Sequence, residues 1–312
     1  MATVDILLGT YNGARFINEQ LHSLSAQTHR DWRLILRDDG SADETVELVR
    51  NWALRESVDM VEINDGCSNL GACQNFARLM EHSLAPYFAF CDQDDVWMPD
   101  KLERMLAALL ESEIEVGHDV PQLIYGDAVV ASESLEVIHA SFRQYTSRLT
   151  DADAQDVAMV MLGNVAPGCA MLGNAALRRA ALPVHPDARM HDWWVTMVAL
   201  SQGKSIQMDQ TVLFYRQHGS NALGVPQSGM MALKLFLRSP SSALNRARKM
   251  LDRTTSQARA FASTYGEAGR NATVAGYGRI SRKSLIARKT FLFRNKVRAA
   301  DWGTFIALML VI

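Results

Sequence analysis

Between Val4 and Cys91 the apolar residues come in short blocks whose period switches back and forth. Val4–Leu8, Trp32–Arg37, Val58–Ile63 and Tyr87–Cys91 are compact, β-rich runs. Between them the spacing lengthens. Ile17, Leu21 and Leu24 share one helical face, which predicts a helix over Ile17–Ala26. Ser41 and Asp43 are candidate N-caps for a helix over Glu44–Leu54, and Phe76, Leu79 and Met80 mark a third helix. Strand alternating with helix predicts an α/β fold, a mostly parallel sheet flanked by helices. Such sheets bind ligands beyond the carboxyl ends of their strands. The polar clusters fall there: Thr10-Tyr11-Asn12, Asp38-Asp39, Asn69 to Gly71, and Asp92 to Asp95.

Further along, Leu102–Ser112 reads as a helix and Leu123–Ser132 as strand. "DAQDVAMVML" has helical spacing and is followed by the loop "GNVAPGCAM" and another helix. "HDWWVTMVALSQG" reads as an amphipathic helix opened by an acid, and "SIQMDQTVLFYRQHGSNALG" as one or two strands and a loop. Beyond residue 230 the β-runs stop and Arg/Lys-studded helices take over. A boundary near Gly229 therefore separates an α/β domain, 1–229, from a basic amphipathic helical extension, 230–312.

Charge sharpens that division. The net charge is −2, but residues 230–312 carry 16 Lys+Arg and three acids, leaving −15 on residues 1–229. With 48% hydrophobic and 21% charged residues, the composition is that of a globular chain and excludes disorder. The four cysteines lack metal-ligand spacing and read as reduced thiols. No basic leader precedes the first strand. The longest apolar run, "FIALMLVI", falls short of the roughly 18–20 residues that span a bilayer. The expected location is the cytoplasm.

The stretch "FAFCDQDDVWMPDKL" raises the chemical question. Asp92, Asp94 and Asp95 follow an apolar strand, and clustered carboxylates repel one another. A divalent cation is one compensation, and an all-oxygen donor set suits Mg²⁺ or Mn²⁺. Capping of the following helix is the alternative.

Taken together, "ILLGTYNGARFINEQLHSLSAQTH", "LILRDDGSADET", "NLGACQNF" and "FAFCDQDDVWMPDKL" resemble the successive signatures of family 2 glycosyltransferases with a GT-A fold. "DQDDVW", "MHDWWVTMVA" and "YRQHGSN" are most similar to the bacterial rhamnosyltransferase branch. The resemblance runs over Val4–Gly224. It implies a nucleotide-sugar donor, held by Thr10, Tyr11 and Asn12 at the first strand end. Asp38 would face the base, and Asp39 would order the turn with Gly40. Asn69 and Gly71 would line the nucleotide pocket, with Asn75 a weaker candidate. Asp92 and Asp94 match the family's D-x-D element: Asp92 reaching the ribose or sugar, Asp94 ligating Mg²⁺ or Mn²⁺ on the diphosphate, and Asp95 in support.

On the acceptor side the resemblance makes Asp192 the general base, with His191 where the family usually has an acid. A helix-dipole acid is the alternative for Asp192. Of Trp193 and Trp194, one is expected to stack on sugar and one to fill core. His218 would complete the metal shell or touch the diphosphate. Arg216 would neutralise phosphate or form a surface ion pair. Gly168 would let backbone approach ligand, and Cys169 would pack.

The implied activity is inverting, metal-dependent sugar transfer, most specifically L-rhamnose from dTDP-rhamnose, onto a saccharide or lipid-linked glycan in cell-surface polysaccharide synthesis. A UDP-hexose donor, a nucleotidyltransferase or hydrolase acting at the diphosphate, and a non-catalytic nucleotide-sugar-binding partner are the rivals. The basic, apolar C-terminal part reads as peripheral contact with the inner face of an anionic membrane rather than with nucleic acid.

Overall fold

The computed structural model describes residues 3–146, 149–219, 240–295 and 297. The expected α/β alternation is present: β1 (Val4–Thr10), α1 (Ile17–Ser25), β2 (Trp32–Asp38), α2 (Thr45–Glu56), β3 (Met60–Glu62), α3 (Ala72–His82) and β4 (Tyr87–Asp92). Then come β5 (Val96–Trp97), α4 (Lys101–Val116), β6 (Gln122–Ala131), β7 (Val137–His139) and α5 (Phe142–Thr146). They are followed by α6 (Val157–Val160), β8 (Met171–Asn174), α7 (Ala175–Ala181), α8 (His191–Gln202) and β9 (Lys204–Arg216). Three further helices are α9 (Pro240–Tyr265), α10 (Ala272–Gly278) and α11 (Leu285–Arg294).

The described strands form one sheet in the order β3-β2-β1-β4-β8-β6-β9-β5, with β7 on β6. β1 pairs in parallel with β2 and β4, β2 with β3, and β6 with β9. β8 runs against both its neighbours, so the sheet is mixed but mostly parallel. β5, β7 and β8 were not expected from sequence, because two to four residues carry no readable period. Strand register gathers the polar residues. Thr10 lies opposite Asp38, and Gly9 opposite Asp92, so three polar strand ends meet at one edge.

β1 is the buried centre: Val4, Ile6, Leu7 and Leu8 are fully buried, with Leu34, Leu36, Ala89 and Cys91 beside them. Fully apolar strands of this kind need cover on both faces. α8 gives part of that cover and differs from expectation. Every residue from His191 to Leu200 is buried, so it is an interior helix rather than an amphipathic one. Trp193 and Trp194 are both buried, and the Trp194 indole donates to the Ala181 carbonyl at 3.1 Å. The expected long helix over "DAQDVAMVML" is cut short. Asp156 takes an extended conformation and caps α6 through the Ala158 N–H.

The described chain divides into two compact units. One holds residues up to Phe142, Ala166–Val184, and Met190 to the end of β9. The other holds Arg143–Val165, His185–Arg189 and the three C-terminal helices. The second has its own interior: Phe261, Tyr277 and Ile280 are fully buried, and Thr254 bonds the Tyr277 hydroxyl at 2.8 Å. The expected boundary near Gly229 and the run "FIALMLVI" lie outside the described residues. No described helix is long and apolar enough to cross a membrane.

Because Ile6 is fully buried in the central strand, Ile6→Ala should cost about 2–5 kcal/mol in urea unfolding. A loss below about 1 kcal/mol would show that the sheet centre relaxes around the gap.

Candidate functional site

The site begins with two loops stapled together. The β1–α1 loop donates from its backbone to the β2–α2 loop: Asn12 to Ser41 Oγ at 2.8 Å, Gly13 to Thr45 Oγ1 at 2.7 Å, Ala14 to Asp43 at 3.1 Å. Asn12, at φ 47°, returns a bond by accepting from the Ala42 N–H at 2.8 Å. Asp38 sits inside this staple. Its carboxylate accepts from Thr10 (2.7 Å), the Ser41 hydroxyl (2.6 Å), and the backbone of Gly40 (3.0 Å) and Ser41 (2.6 Å). A carboxylate offers about four acceptor positions, so all are engaged within the loop.

The turn-ordering role expected of Asp39 therefore falls to Asp38. Asp39 instead ties down the next loop, accepting from the Leu70 and Gly71 N–H groups at 2.8 Å each. Behind both stands Arg37, buried at 1% exposure. It grips Asp65 with two bonds near 3 Å, Asn75 at 2.7 Å, Asp39 at 3.3 Å and the Cys67 carbonyl at 3.0 Å. Asn75, the weaker nucleotide candidate, is thus an internal partner of Arg37. Asn69 and Gly71, at φ 55° and 78°, shape the rim of the loop that Arg37 and Asp39 hold. Tyr11 is half-exposed, while its backbone is pinned on both sides by the Gln93 amide at 2.9 Å. A side chain at Gly13 would collide with Gln93. That explains the glutamine in "DQDD".

The acidic cluster lies on the far side of Gln93. Carboxylate oxygens of Asp92 and Asp95 and the Cys169 sulfur lie within 4.8 Å of one another. At that distance two unit charges repel by about 3 kcal/mol in an effective dielectric of ~20. Burial, then repulsion from Asp95, Asp94 and Asp192, pushes the Asp92 carboxyl well above its ordinary range. Burial and Asp94 push Asp95 to about 7. Burial also raises the Cys169 thiol, with the neighbouring acids adding to it.

Two buried cations counter the acids, of which Lys101 was not singled out from the sequence. Lys101 is fully buried, its ammonium 3.2 Å over the Trp97 ring and bonded to the Cys169 carbonyl. Burial lowers its pKa to about 8, with Asp95 and Asp92 opposing. A lysine in a first helical turn ordinarily faces solvent, so nothing in its spacing pointed inward. Arg216 is likewise 2% exposed. It donates to the Asp94 and Glu133 carbonyls at 2.7 Å each and to Glu19 at 2.9 Å, and its own N–H reaches Asp95 at 3.1 Å. It braces the acidic loop from within, which corrects the expectation of a phosphate contact or a surface ion pair. Asp94 faces His218, whose Nε2 lies 2.7 Å from the carboxylate while its ring stacks on Phe16 at 4.5 Å.

Asp192 opens α8, with Oδ2 accepting from the Gly168 N–H at 3.0 Å and Oδ1 from its neighbour Trp193 at 2.6 Å. A Cβ at Gly168 would lie 2.9 Å from His191 Nε2 and 3.2 Å from Asp192 Cβ, so the glycine is required by α8 itself. His191 is packed between Phe76 and Phe90, with ring centroids at 4.0 and 4.5 Å and neither nitrogen bonded. Burial drops its pKa to about 3. It is a neutral ring beside Asp192 and places no charge on it.

Asp92 and Asp94 oxygens, with the His218 nitrogen beside Asp94, would suit a hard divalent cation. Asp95, bound to the Arg216 backbone, lies in one group of potential donor atoms with Asp92 and Cys169.

An acid whose folded pKa exceeds its unfolded value loses stabilisation as pH rises between the two. For Asp95 that window runs from 3.8 to about 7. Without metal, the melting temperature should therefore fall between about pH 4 and pH 7, and the fall should shrink in Asp95→Asn. Thermal melts in chelator test this, and an identical slope in parent and variant would contradict it.

The family model "Glycosyl transferase family 2" matches residues 5–164. A Bacillus subtilis (strain 168) protein named as a teichuronic acid biosynthesis glycosyltransferase, TuaG, is 31% identical over 35% of this chain and 42% of its own length. The chain thus spans less than half of that relative. The dTDP-rhamnosyl transferase RfbG of Shigella flexneri is 24% identical over 70% of this chain and 73% of its own. Among solved structures, the mannosyltransferase PcManGT from Pyrobaculum calidifontis, in complex with GDP-Man and Mn²⁺, superposes with TM-score 0.55 at 13% identity. That match covers 99% of this chain and 87% of that one. The fold is GT-A-like, with helices at the C-terminal end. With its family model covering half of its length, the chain belongs to glycosyl transferase family 2.

Proposed function

We propose that the protein is an inverting, metal-dependent glycosyltransferase of cell-surface polysaccharide synthesis, with dTDP-rhamnose as donor and a saccharide or lipid-linked glycan as acceptor. One observation carries the enzymatic reading. The consecutive residues Gly168 and Cys169 join two acid groups: the Gly168 N–H holds Asp192, and the Cys169 sulfur lies against Asp92 and Asp95. A candidate base and a metal-type cluster are thus tied to adjacent residues of one loop, which supports a reaction centre that uses both.

In this reading the exposed Tyr11 ring, Asn12 and the Asn69–Gly71 rim receive the nucleotide. Thr10 and Asp38 shape the turn beneath it. Asp92, Asp94 and His218 would hold Mg²⁺ or Mn²⁺, which stabilises the charge of the leaving diphosphate. Asp192 takes the proton from the acceptor hydroxyl as its oxygen bonds the anomeric carbon and the bond to the diphosphate breaks on the opposite face. The neutral His191 adds no positive charge beside Asp192. Similarity to RfbG and the rhamnosyltransferase-like motifs support the donor. The basic C-terminal helices support peripheral contact with a membrane bearing the acceptor.

Calorimetric titration with dTDP-rhamnose, UDP-glucose and GDP-mannose, each with and without Mn²⁺, tests the donor. Mn²⁺-dependent binding of dTDP-rhamnose with the others weak is expected. Tight binding of another nucleotide sugar would replace the donor and keep the class, and no binding of any would favour a non-catalytic partner. Asp192→Asn should bind donor normally yet lose about 10²–10⁴ in turnover. Turnover near that of the parent would remove Asp192 as the base.

A further inference from the structure

α11 (Leu285–Arg294) is seated on one side and bare on the other. Ser284 caps it, accepting from the Ala287 N–H. Its inner face is packed: Leu292 is buried, and the Phe291 ring fills the space that a side chain at Gly276 would need. Arg288 ties the same side back to the Ser281 carbonyl at 2.8 Å. Successive residues turn by about 100°, so Leu285, Lys289 and Phe293 form one outward row with Ile286 alongside. Leu285 is 62% exposed, Ile286 81% and Phe293 87%.

Three large apolar side chains on one helical arc are unusual for a surface helix, whose outer face is ordinarily polar. The charges around them have one sign. Lys283, Lys289 and Arg294 are exposed, and no acid occurs from Ala268 to Val297. A second copy docking through the same arc would set these cations against their own counterparts. Apolar side chains set among cations instead match an anionic lipid surface. The side chains enter the headgroup boundary, and the cations meet lipid phosphates.

We propose that the outward arc of α11, formed by Leu285, Ile286, Lys289 and Phe293, is the surface with which this protein docks on an anionic lipid bilayer. The inference rests on the peripheral-membrane part of the proposed function and names the element responsible.

The test is co-sedimentation of the full chain with phosphatidylcholine vesicles, with and without phosphatidylglycerol. Binding should require phosphatidylglycerol and weaken with salt. The combined change Leu285→Ser, Ile286→Ser and Phe293→Ser should weaken it by about tenfold or more, and Lys289→Glu by about tenfold. Circular dichroism should show both variants folded, since every altered side chain is exposed. Vesicle binding by the triple variant equal to the parent would place the contact elsewhere and overturn the proposal. So would equal binding to both vesicle types, or a parent dimer that the triple variant abolishes. Transfer to a soluble acceptor reads the catalytic proposal separately: docking lost with transfer intact in the triple variant supports both, and docking intact without transfer in the parent overturns only the enzymatic reading.

Discussion

Everything at the site depends on bringing three carboxylates to the end of a buried strand without letting them push it apart. Asp92, Asp94 and Asp95 are held by different means. Lys101 lies beneath them, Arg216 fastens the loop by its backbone, and His218 stands against Asp94. Part of the repulsion is absorbed by protons, which is why Asp95 is pushed to about 7. Loading with a divalent cation would relieve the rest. The cluster therefore holds together on its own partners yet stays electrostatically incomplete, as a site for a charged ligand must be.

A third buried cation governs the loops after β2 and β3. Arg37 has its partners just after β2, in α3 and in the loop after β3, so one guanidinium helps set the position of the Asn69–Gly71 rim. A planar group with five donors can hold several acceptors at fixed angles, which lysine cannot do. Asp38 and Asp39 divide the work between adjacent loops because neighbouring residues leaving a strand point to opposite sides. The parallel register of β1 with β2 and β4 then brings these loops alongside the acidic cluster.

Much of this was legible in the chain. The changes of hydrophobic period located β1, β2, β4 and the helices between them, because those elements are long enough to show a period; β3, three residues long, was found only as part of the longer apolar run Val58–Ile63. The acid and asparagine clusters at strand ends, and Asp192 at the head of α8, marked the candidate site. The burial of α8 was not legible. "HDWWVTMVALSQ" has polar residues at intervals that suit an exposed face, and only its position among other elements buries His191 and Thr196. The exposed apolar arc of α11 was hidden likewise, since Phe291 and Phe293 look alike until packing turns one inward and leaves the other out.

The sequence by itself determined the alternation of strand and helix, the placement of acids where strands end, and the split between an acidic body and a basic tail. These are local properties, set by side-chain period, turn residues and composition. Tertiary structure alone decided which charge meets which. It gave Asp38 the turn-ordering role expected of Asp39, turned Arg216 inward, buried Lys101 under Cys169, and inserted β8 antiparallel between β4 and β6. The physical reason is range. A period is written within a few residues, whereas the partner of a buried charge lies many residues away and is chosen by how the layers pack.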